Sequence, residues 1–162
     1  NYPLDKGDFK DRGEGSGEGN NLNIPLPPGA GHNTWLQALD RLAIPAIQAF
    51  KPDVLVIACG FDAAAFDPLG RMLCSVDTFR EMTRRVMALT TDICGGRLVM
   101  AHEGGYSETY VPFCGHATLQ EMSGSEIDAP DPFAEALKNR QPSAAFETFA
   151  SGLIDEMASS LG

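Results

Sequence analysis

The chain has 162 residues, 43% of them hydrophobic, and carries a formal charge of −10 from 22 acidic and 12 basic side chains. That length builds one core and is short for two domains, and an acidic chain with no basic stripe along any predicted helix excludes direct nucleic-acid binding. No apolar stretch approaches the ~20 residues of a membrane-spanning helix, no signal peptide is expected, and Cys59, Cys74, Cys94 and Cys114 form no C-x-x-C pair, so the expectation is a cytoplasmic protein with reduced, mostly buried thiols.

Residues 1–22, including "DRGEGSGEGNN", read as a surface loop. Their glycines fit neither G-x-G-x-x-G nor the Walker pattern, no lysine follows, and Glu14 and Glu18 repel phosphate. The chain opens on Asn1 without apolar periodicity, so the polypeptide is expected to begin partway through something larger. "NIPLP" (23–27) reads as a short strand. An amphipathic helix follows over 34–50, with Trp35, Leu39, Leu42, Ala46 and Phe50 on one face, Asn33 as N-cap, and Pro45 set to kink or divide it. "VLVIACG" (54–60) is a continuous apolar run, which fits a parallel strand buried on both faces.

A second helix is predicted from Val76 to Cys94 and is stopped by Gly95 and Gly96. "RLVMA" (97–101) is the next buried strand, "ETYVPFCGHATLQEM" (108–122) the helix behind it, and two more helices start at Pro132, after Asp131, and near Ser143. Strands alternating with helices imply right-handed crossovers and a mostly parallel sheet in a three-layer α/β/α arrangement. The whole of 1–162 is one unit: a loop over 1–22, the sheet and its functional edge over 23–123, and C-terminal helices over 124–162.

Chemistry in such sheets gathers beyond the carboxyl ends of the strands. Two loops leave there: "GFDAAAFDPLG" (60–70) and "HEGGYS" (102–107). Asp62 faces that edge as a metal ligand or a base, although an isolated loop aspartate usually caps or turns. Asp67, before Pro68, reads as a turn former. Tyr106, after two glycines, has a phenol suited to a developing oxyanion, against the plain reading of a structural tyrosine. His32, His102 and His116 show no zinc-site spacing, and Cys59 reads as core rather than nucleophile.

Taken in order, the stretch from "NIPLPPGAGHNTW" through "GFDAAAFDPLG" and "TFREMTRRVMAL" to "GGRLVMAHEGGYS" closely resembles the C-terminal half of the histone deacetylase superfamily. The likeness covers about residues 12–123 and is strongest to the class II type bacterial amidohydrolases. The resemblance implies an arginase-like α/β fold and hydrolysis of acyl amides, typically of acetyl-lysine or acetylated polyamines, at one zinc ion. A structural K+ is compatible with it. By position, Asp62 matches the second zinc-binding aspartate and Tyr106 the tyrosine that polarises the amide carbonyl. Leu69, with Pro68 beside it, matches the wall of a narrow acyl-lysine tunnel, and Gly104 and Gly105 match the part of that wall where a side chain blocks substrate.

The remaining zinc ligands of that family, an Asp-x-His, and its His-His pair do not occur in this sequence, and His102 stands where an aliphatic residue is common. The expectation is therefore a portion of a deacetylase that is inactive alone, with zinc needing ligands outside these residues. The alternative is a binding or regulatory module built on the same fold. An incompletely covered sheet also implies an exposed apolar patch and association of the chain with copies of itself.

Overall fold

The computed structural model describes residues 5–161. Residues 5–31 carry little regular structure beyond a single 3₁₀ turn at Gly15–Gly17. The strand expected over 23–27 is absent: Pro25 and Pro27 have no N–H to give a ladder, and extended backbone pairs only further on, where Gly31 bridges Leu73.

Helix α1 (His32–Ala38) begins one residue before the expected cap, on Gly31. Asn33 therefore lies inside the helix and caps nothing, and the His32 N–H at the helix start donates instead to Gln141 Oε1 at 2.9 Å. A π-helical segment, Leu39–Ala43, joins α1 to α2 (Ile44–Phe50). Pro45 sits in the first turn of α2, where its missing N–H costs least. The expected division at Pro45 thus takes the form of a widened turn just before it.

Strands β1 (Leu55–Cys59) and β2 (Leu98–His102) pair in parallel, with Leu55 opposite Leu98 and Cys59 opposite His102. Between them runs α3 (Val76–Cys94), with the bounds the sequence implies. At its start the Ser75 N–H donates to Thr78 Oγ1 at 3.0 Å, and at its end Gly95 adopts φ +63°, the left-handed stop that glycine permits. After β2 come α4 (Val111–Ser123), the short α5 (Ala134–Lys138) and α6 (Ala144–Ser159), the last capped by Ser143, whose Oγ accepts from the Phe146 N–H.

The expectation that both strands are buried on two faces is corrected by their burial. Ile57 and Met100 point toward α3, whereas Val56 is 65% and Val99 53% exposed on the opposite face. Among the described residues only one face of the pair meets a helix layer, so an unbroken apolar run reads in space as an alternating one.

The main core lies beside the strand ends. Phe61, Ala63, Ala64, Cys74, Val76, Phe79, Tyr110, Cys114, Ala117 and Leu137 form it, with α3 packed on α4. A smaller cluster of Ala38, Leu42, Ile154 and Met157 fastens α6 against α1 and the π segment. Cys74, Cys94 and Cys114 are buried and free, and Cys59 is half-buried and free.

Candidate active site

Because β1 and β2 are parallel and end in register, their two loops leave from one edge. The pairing continues past the strands: the Glu103 N–H donates to the Cys59 carbonyl at 3.2 Å, and the Phe61 N–H to the Gly104 carbonyl at 2.8 Å. The segment carrying Asp62 is therefore zipped to the segment carrying Tyr106.

Glycines shape the space around Asp62. A Cβ on Gly60 would stand 3.1 Å from Asp62 Oδ1, one on Gly104 would collide with Asp62 Oδ2, and one on Gly70 would collide with the Asp62 carbonyl oxygen. Gly105 has φ +125°, and a Cβ there would press at 3.0 Å on both Phe61 and Val111. The paired glycines after β2 thus make room for an aspartate and a phenylalanine of the neighbouring loop.

Asp62 is exposed and borders two hollows that also share Trp35 and Ala63. One, of about 450 Å³, runs between the sheet and α3 past Cys59, Phe79, Met82 and Met100. The other, of about 820 Å³, is walled by Leu26, Pro28, Leu69 and Met72. Leu69 is 71% exposed on that wall, and Pro68 next to it is exposed too. Tyr106 is 55% exposed and lines neither hollow.

A carboxylate set in a glycine cradle suits a cation, and Asp62 fits as one ligand of a metal. Among the described residues, however, no group of three or more His, Cys, Asp or Glu side chains is placed to hold an ion. His102, the histidine nearest this edge, lies against the Phe61 ring at 5.4 Å between centroids. Burial pushes the Cys59 thiol up from its ordinary 9.0, which keeps it protonated and a poor nucleophile.

Two residues outside the expected set hold the edge together. Asp67 is buried, and its carboxylate accepts from the Leu69 and Gly70 N–H groups, both at 2.8 Å, and from the Tyr106 N–H at 2.7 Å. The Asp-Pro pair signals the local turn; the contact with Tyr106, 39 residues on, has no sequence signal. Tyr110 is fully buried, and its phenol accepts from the Val76 N–H at 3.0 Å and donates to Asp131 at 2.7 Å. It fixes the start of α3 and the corner that leads from Tyr106 into α4.

Residues 1–122 match the histone deacetylase domain family. The chain is 45% identical over 161 residues to a histone deacetylase-like amidohydrolase of Pseudomonas aeruginosa, an alignment covering 99% of this chain and 42% of that protein. It is 39% identical over 127 residues to histone deacetylase 8 of Arabidopsis thaliana, covering 78% of this chain and 33% of that one. Its structure superposes on the crystal structure of the HDA15 HD domain with a TM-score of 0.72 at 28% identity, over 99% of this chain and 42% of that one. The chain thus spans less than half the length of these relatives.

Proposed function

The chain belongs to the histone deacetylase family, and from that premise we propose that it supplies one aspartate ligand and the oxyanion-stabilising tyrosine of a zinc-dependent amidohydrolase acting on acyl-lysine or acetylated-polyamine amides. The observation that supports this most is the backbone pairing at 2.8 Å between Phe61 and Gly104, which holds the Asp62 and Tyr106 segments side by side at the carboxyl edge of the sheet.

In this reading Asp62 presents its carboxylate to the metal from the cradle of Gly60 and Gly104. The Tyr106 phenol donates a hydrogen bond to the amide oxygen as negative charge develops there. Leu69 and Pro68 flank the acyl-lysine stem, and the backbone of Gly104 and Gly105 forms part of the same wall while leaving room for Asp62 and Phe61 behind it. Water adds to the carbonyl carbon, the C–N bond breaks, and both protons of the water end on the leaving nitrogen, giving a carboxylate and an ammonium. Zinc, when bound, polarises the carbonyl and lowers the pKa of that water. Asp62 is a single donor, so tight zinc binding requires ligands beyond the described residues. Free cysteines suit a reducing compartment such as the cytoplasm, and no described helix is long and apolar enough to cross a membrane.

Zinc titration and a fluorogenic acetyl-lysine assay test this on the 162-residue chain and, in parallel, on the protein expressed from its own gene. The isolated chain is expected to bind no stoichiometric tight zinc and to turn nothing over, and the gene product to hydrolyse the substrate. Tight zinc or turnover by the isolated chain overturns the shared-site reading; an inert gene product transfers the case to a binding module.

A further inference from the structure

Asp67 carries more than the turn its sequence context suggests. Its two oxygens divide the work: Oδ1 accepts the N–H groups of Leu69 and Gly70 at 2.8 Å, within its own loop, and Oδ2 accepts the Tyr106 N–H at 2.7 Å, from the loop after β2. The residue is 8% exposed, so water does not replace a lost partner freely. A second restraint acts on the same residues, since Gly70 is packed so tightly on the Asp62 carbonyl that no Cβ fits there.

We propose that Asp67 is a positioning residue for the deacetylase reaction: one carboxylate locks the backbone of Tyr106 to the turn that presents Leu69, so the oxyanion donor and the substrate wall are set by a common anchor. The role rests on the deacetylase reading above. It acts through Tyr106 and does not touch substrate. Because the Tyr106 hydrogen bond strengthens as the oxyanion forms, loosening its backbone lowers kcat more than it raises KM.

Asp67→Asn separates the two tasks. An asparagine keeps the shape and one acceptor oxygen, which the paired Leu69 and Gly70 donors claim, and it then turns its NH2 group on the Tyr106 N–H, donor against donor. Asp67→Glu keeps both oxygens and is the rescue variant. Amide hydrogen exchange is read by NMR on the 162-residue chain, and kcat and KM with an acetyl-lysine substrate on the protein expressed from its own gene.

In Asp67→Asn the Tyr106 amide is expected to exchange about tenfold faster or more, the scale of one hydrogen bond to a charged acceptor, while α3 amides are unchanged. The kcat is expected to fall about tenfold with KM held within about twofold, and Asp67→Glu to recover part of both losses. Unchanged Tyr106 exchange in both variants, equal acceleration throughout α3, or a freed Tyr106 amide with unchanged kcat overturns the proposal. Exchange requires no turnover, so an inactive wild-type protein marks the failure of the deacetylase reading and not of the anchor.

Discussion

Tyr110→Phe tests whether the buried phenol holds the site's supporting framework. The ring stays in place, packed edge-on to Phe66 at 5.1 Å and to Phe133 at 5.9 Å between centroids, so no cavity opens. Only the hydroxyl leaves. The Val76 N–H, in the first turn of α3 and 2% exposed, then has no acceptor at 3.0 Å, which costs about 1–3 kcal/mol. Asp131 loses the 2.7 Å donor but keeps the Phe133 N–H at 2.8 Å and is partly open to water, so that side adds about 1 kcal/mol. The sum is about 2–4 kcal/mol, a large fraction of the ~5–15 kcal/mol of a typical domain. Urea unfolding followed by far-UV circular dichroism reads it as a lower midpoint at unchanged slope. A loss under about 0.5 kcal/mol, within the scatter of surface changes, would refute the argument.

Alkaline pH should weaken the fold in a defined window. Burial, then the charge of Asp131, pushes the Cys114 thiol up to about 12 from its ordinary 9.0; burial, then Cys114, raises Cys74 as well; and burial, then Asp131, raises the Tyr110 phenol above its ordinary 10.0. The folded chain keeps protons that the unfolded chain releases, so this contribution is whole below pH 9.0 and is lost as pH climbs toward 12. Urea midpoints at about pH 8 and about pH 10.5 check the sign, and a midpoint that holds or rises would contradict it. Val56 and Val99, opposite one another on the uncovered face of the sheet, should drive self-association of the isolated chain. Size-exclusion chromatography over rising concentration should show larger species, and Val56→Lys with Val99→Glu, an opposite-charge cross-strand pair, should return a monomer with little change in unfolding midpoint; a wild-type monomer throughout counts against this.

Where local chemistry decides the structure, the sequence was readable. Helix α3 runs from Val76 to Cys94 as expected, because Ser75 and Thr78 mark its start and Gly95 its end locally, while the bond from the Val76 N–H to Tyr110, 34 residues on, left no sequence signal. The free, mostly buried cysteines and the shared edge of the Asp62 and Tyr106 loops follow from spacing and strand order in the same way. The failures depend on partners. "NIPLP" is apolar but meets no ladder, and the apolar run of β1 says nothing about how many layers cover it. Asp67 looks like a turn former until the loop 39 residues on is brought beside it. The resemblance pointed to Asp62 and Tyr106 as the proposed site residues, whereas the glycine cradle around Asp62 required coordinates.

The central proposal is that Tyr106 acts on the carbonyl oxygen at this sheet edge. Its most direct test is the kcat for acetyl-lysine hydrolysis by the protein expressed from its own gene, compared with Tyr106→Phe. The side chain is 55% exposed, so removing its hydroxyl leaves the fold intact, and the expected loss is that of one oxyanion donor, about 10²–10³-fold in kcat, with KM little changed. A Tyr106→Phe enzyme that keeps its wild-type kcat would contradict the assignment.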